Sequence, residues 1–193
     1  MKRFDPTESN KYRKIYGALA APGKGRGFAV IVGKERHAAE RIVLLDEVED
    51  CDLRKLVRDC GAFEYFYAPE VFFGDTDNPT LMEFIREMNK DTEAPGDKPF
   101  VLRRTKLLDK KKDLFSYILP MLRNLIERGH LILKPGMVKT YLSQPQEADL
   151  ATLEQGDFPS VEALSFAVLE IDQDRNVRRI KRQTEANNSY NRI

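Results

Sequence analysis

Three carboxylates stand where an acid can do more than solvate the surface. Asp75 closes the short apolar run Val71-Phe72-Phe73-Gly74, Asp157 lies just ahead of Pro159, and Glu162 follows in the same segment. An acid at a strand end can hold a hard cation, which prefers oxygen ligands. It can equally open a turn, and Asp75-Thr76-Asp77-Asn78 is ordinary turn and capping chemistry. Asp157 suits a helix N-cap, where its side chain would accept a backbone N–H. Glu162 reads as a ligand or as a solvated acid, with the surface favoured. Asp46, in the run Arg41–Val48, is expected on an exposed sheet face.

The basic residues fall into two runs. Arg103, Arg104, Lys106, Lys110, Lys111 and Lys112 are opposed only by Asp109 and are expected to contact phosphate. Arg175, Arg178, Arg179, Lys181 and Arg182 read as a solvated tail. Phe63, Tyr65, Phe66, Tyr67, Phe72 and Phe73 could stack on bases, but aromatics also favour strands and core packing, the reading adopted. His37 and His130 suggest no metal pair. Cys51 and Cys60, read as lying on one helix, give neither zinc spacing nor a disulfide framework.

The elements that must position these residues follow from periodicity. Residues 14–20, 28–33 and 41–48 read as three strands joined by short connections, hence an antiparallel meander. Leu53, Leu56, Val57 and Cys60 have helical spacing, with Asp52 as the cap and Gly61 as the stop. A fourth strand spans 70–75, and Asn78 caps a helix running from Pro79 to about Lys90. A fifth strand spans 100–103. A helix with a Leu114, Ile118, Leu122 and Leu125 stripe ends at Gly129, and Pro120 predicts a kink within it. A short strand at 130–134, a polar helical segment over 137–155 and a last helix from Pro159 to about Ile171 complete the pattern. Residues 1–13 read as a flexible lead-in, 14–171 as one domain and 172–193 as a polar tail.

The 193 residues suffice for one domain with a sizeable core. With 32 basic and 31 acidic side chains, no global field draws the chain to nucleic acid or membrane, so such a partner must meet a local patch. No apolar run approaches the ~20 residues of a spanning helix, so no membrane partner is expected. Together with the cysteine usage, this points to the cytoplasm.

Three antiparallel strands followed by helix-linked strands, which must pair in parallel, resemble the ribonuclease H-like α/β fold. The expected sheet is mixed and five-stranded, with helices on both faces. The stretch from Ile118 to Leu133 resembles one in the nuclease domain of phage terminase large subunits, enzymes that cut DNA during genome packaging. The segment from Gly156 to Val168 is similar to that family's late acidic segment, and Val71–Asp75 to its fourth-strand acid. The resemblance implies a Mg²⁺- or Mn²⁺-dependent endonuclease in which Asp75 and Asp157 hold metal and Glu162 assists. Two metals ~4 Å apart would activate water and stabilise the leaving oxygen. DNA is the implied partner, alongside a separate packaging ATPase or portal component, in the cytoplasm of a bacterial host. The chain departs from the family at Ala20, where an aspartate is expected, and Gly23-Lys24-Gly25 lacks the spacing of a phosphate-binding loop. A non-catalytic DNA- or partner-binding module is the alternative.

Overall fold

The β-branched and small residues at the start of the chain do form strands. The computed structural model describes residues 10–21, 26–36, 41–91, 99–105, 120–133 and 159–171. Strands β1 (Tyr12–Ala20), β2 (Gly27–Glu35) and β3 (Ile42–Asp50) make the antiparallel meander. Each is longer than the apolar run that announced it, because polar residues at the ends continue the ladder. Helix α1 (Leu53–Tyr67) leads to β4 (Val71–Gly74), and α2 (Pro79–Asp91) leads to β5 (Leu102–Arg104). Residues 120–127 and 159–171 form two further helices, α3 and α4.

The sheet has six strands in the order β5-β4-β1-β2-β3-β6, where β6 is Leu131–Ile132. The expected count of five is therefore one short: the apolar stretch after Gly129 joins the sheet, pairing Ile42 with Leu131 in parallel. The β1–β4 and β4–β5 pairings are also parallel, as helical crossovers require.

Local chemistry explains where the helices start and stop. Asp52 accepts the backbone N–H groups of Arg54 and Lys55 at 2.9 and 3.4 Å, capping α1 as expected. Gly61 does not end that helix; it lies inside, and the turn falls at Ala68, whose φ is 45°. Phe63 and Tyr67 thus pack from a helix, not a strand, and Cys51 lies outside α1 while Cys60 is buried within it. Asn78 caps α2 through Leu81 N–H at 3.1 Å. At the end of α3, His130 N–H donates to Leu125 O and Gly129 N–H to Ile126 O, with Gly129 at φ +67°. That pair of hydrogen bonds is a Schellman stop. It feeds the chain directly into β6 through Ile42 N–H to His130 O at 2.7 Å. The kink expected at Pro120 lies at the edge of the described residues.

Two cores flank the sheet. On one face, Leu19, Ala29, Ile31, Leu45 and Phe72 pack against Leu56, Cys60 and Phe63 of α1 and Leu81 and Ile85 of α2. On the other, Ala18, Ala20, Phe28, Val30 and Leu44 pack under Leu122 of α3 and Val161, Leu164 and Val168 of α4. Alternation along the strands sends neighbouring residues to opposite cores. Gly17 is needed where β1 meets β4: a Cβ there would lie 2.3 Å from the Phe72 ring.

Candidate active site

The site is built at the carboxyl end of the parallel strands. Leu19 pairs with Gly74, and Gly74 with Arg104. One step further along the same register, Ala20, Asp75 and Thr105 stand in a row across β1, β4 and β5. The alternation that turns Ala18 and Ala20 toward α4, with Val71 and Phe73 packed against the same core, turns Asp75 that way too.

Each member of the row is held locally. Asp75 accepts the Asp77 N–H at 2.9 Å, forming the turn its sequence suggested. The turn is tied to β1, because the Asn78 side-chain amide donates to Ala21 O at 2.9 Å. Arg104 forms an ion pair with Asp77 across the same turn. Thr105 is 0% exposed; its N–H donates to Gly74 O at 3.3 Å, and its hydroxyl donates to Glu170 Oε1 at 3.2 Å. A residue of α4 thus reaches the end of β5.

The expected site residues divide. Asp75 lies at the strand end as proposed and is half-buried. Asp157 lies outside the described residues, as do Lys106, Lys110, Lys111 and Lys112. Glu162 is 6% exposed, so the surface reading is corrected: α4 is covered on all sides along this stretch. Asp46 is not on an exposed face either. It is half-buried on the α1 side, where it accepts the Tyr67 hydroxyl at 2.7 Å. A β-bulge between Ile31 and Val32 sets that orientation, and it turns Asp46 away from the Ala20 face. Arg103 and Arg104 are exposed. Glu170 was not singled out in the sequence; its place directly after the apolar stripe of α4 was the available signal.

The donor set decides what cation this end of the sheet can hold. Asp75 provides the carboxylate oxygen that Mg²⁺ or Mn²⁺ favours. Ala20, 1% exposed, provides none. Among the described residues no three acids, histidines or cysteines converge. Asp75 is thus the one carboxylate of this row, which falls short of what a metal pair needs.

A groove of about 890 Å³ lies at the opposite end of β4 and β5, lined in part by Arg58, Tyr65, Glu70, Asn89 and Arg103. It shares no residue with the Ala20–Asp75–Thr105 row. Tyr65, 75% exposed, is its prominent apolar feature.

Similar solved structures agree with this architecture. The nuclease domain of the large terminase from bacteriophage SPP1, solved with bound Mn, matches with a TM-score of 0.54 and 14% identity over 86% of this chain and 92% of that one. The large terminase nuclease from thermophilic phage G20c matches with a TM-score of 0.52 and 12% identity, over 86% and 84% of the two chains. The large terminase of another thermophilic bacteriophage matches with a TM-score of 0.53 and 11% identity, over 88% of this chain and 42% of that chain. This chain therefore spans less than half the length of that larger protein. No protein-family model matches, and no curated protein does. The fold is that of ribonuclease H-like terminase nucleases, as the resemblance implied.

Proposed function

We propose that a chain with the fold of terminase nuclease domains, and an acid at the end of its fourth strand, acts on DNA. On this reading it serves phage genome packaging, and its metal-dependent phosphodiester cleavage is impaired by the loss of the first-strand carboxylate. The observation that carries the proposal is the register that stands Asp75 beside Ala20 under α4, in a fold shared with a terminase nuclease solved with bound Mn. Mg²⁺ or Mn²⁺, when bound, would polarise a phosphoryl oxygen and lower the pKa of a water. Asp75 would hold the cation and Asp157 would add a second carboxylate, with Glu162 assisting. Arg103, Arg104 and the lysines that follow would bind the DNA backbone and set its register.

Nicking of supercoiled plasmid with Mn²⁺ tests the proposal. The native chain should cut slowly, and Asp75→Ala and Asp157→Ala should abolish cutting. Ala20→Asp should raise the rate on the order of tenfold or more, about 1.4 kcal/mol of barrier per tenfold. One observation favours a second reading, a DNA- or partner-binding module without chemistry: Ala20 offers no ligand at the position facing Asp75. If every folded form, Ala20→Asp included, leaves the plasmid intact, that module is the function.

A further inference from the structure

We infer that Asn78 is a positioning residue for the strand-end acid: it fastens the turn that carries Asp75 to the end of β1, a role separate from capping α2. The inference deepens the nuclease-type reading and rests on it, since that reading gives Asp75 its use. An asparagine amide carries an acceptor and a donor on one fork, and both are engaged here. Asn78 Oδ1 accepts the Leu81 N–H at 3.1 Å, which caps the helix, while Nδ2 donates to Ala21 O at 2.9 Å. Serine or aspartate would cap as well. The first is shorter and the second has no N–H to give, so the cap alone does not call for asparagine.

Both ends of this tie are anchored. Leu81 and Ile85 seat α2 in the core on one face of the sheet, and Ala21, itself buried, directly follows the last residue of β1. The pairing of β4 with β1 runs from Tyr16–Val71 to Leu19–Gly74 and stops one residue short of Asp75. Past that point the ladder no longer sets where the acid stands, and the turn does. The turn is closed from within by the Asp77 N–H, which donates to Asp75 Oδ1 at 2.9 Å, and it is held to β5 by the Arg104–Asp77 ion pair. Asn78 supplies the remaining hold, the one toward Ala20. A working carboxylate must stay within about 0.5 Å of its productive position. Without the amide, the buried Ala21 carbonyl would lose this partner and the turn its link to β1.

Asn78→Ser keeps the cap and loses the tie, so it separates the two roles. The comparison is Ile42→Val, a buried position at the start of β3, three places along the sheet from β4, which lowers stability to a similar degree. Hydrogen exchange of the full chain, read by mass spectrometry without metal, should show residues 71–77 exchanging about fivefold to tenfold faster in Asn78→Ser, as loss of one hydrogen bond implies. Residues 28–32 should keep native protection, and Ile42→Val should leave 71–77 as in the native chain. If Asn78→Ser fails to fold, Asn78→Asp, with the same shape and cap, takes its place in this measurement. Calorimetric titration with Mn²⁺ should then show binding about tenfold weaker in Asn78→Ser, the low end of what supporting residues contribute, and native binding in Ile42→Val. Native exchange across 71–77 in the variant overturns the inference, and so does native Mn²⁺ affinity in a variant whose turn has loosened. No Mn²⁺ uptake by the native chain overturns the nuclease-type reading instead, and the exchange result alone then decides whether Asn78 holds the turn.

Discussion

Cys51 lies at an exposed bend, and Cys60 is enclosed between α1 and the sheet. Burial pushes the Cys60 thiol far above its usual range, and the neighbouring Asp59 charge adds to the shift. Since the thiolate is the reactive form, Ellman's reagent at pH 8 should label one thiol per native chain and the second only in denaturant. Equal rates for both would show that α1 opens readily. The same contrast of surroundings governs the acids. Asp46 and Asp75 are both half-buried strand carboxylates, yet one is engaged by Tyr67 on the α1 side and the other lies beside Ala20 on the α4 side. Residue type proposes a role, and the face of the sheet accepts or refuses it.

Among the elements, the close contact of β1 with Phe72 of β4 fixes the line along which Ala20 meets Asp75. It depends on Gly17, since any Cβ there would collide with the Phe72 ring, itself fully buried. Gly17→Ala should therefore destabilise the fold by about 1–3 kcal/mol, the usual cost of overpacking, measured by urea unfolding. An unchanged midpoint would mean the ring has somewhere to go. The capping elements carry the complementary lesson. Asp52, Asn78 and Gly129 act where their types suggest, because capping is satisfied within a few residues of chain. Gly61 misled because α1 has an apolar face that continues past it through Phe63 to Tyr67, and burial of that face outweighs the ~1 kcal/mol cost of an internal glycine.

For the molecule as a whole, near-equal numbers of basic and acidic side chains leave attraction to DNA to a local patch. Arg103 and Arg104 are exposed at the edge of the sheet, since β5 is a terminal strand, although Arg104 also pairs with Asp77. If two or so phosphates are neutralised there, duplex affinity should fall about tenfold between 50 and 200 mM salt. Fluorescence anisotropy with a labelled duplex measures this. A flat salt response would remove phosphate contact from the function. No helix among the described residues is long and apolar enough to cross a membrane.

By itself the sequence determined the order of the described elements, the meander, the parallel crossovers and the caps at Asp52, Asn78 and Gly129, because these follow from period, turn chemistry and connection length. It also located Asp75, a strand-end acid followed by turn residues. Tertiary structure alone decided where the remaining acids came to lie. Glu162 sank into a core formed with distant strands, Asp46 was turned to the α1 side by a bulge, and Glu170 was brought to Thr105, 65 positions earlier in the chain. Hydrophobic period tells a residue which way to face within its own element, whereas the meeting of two elements depends on how their ends fall across the sheet.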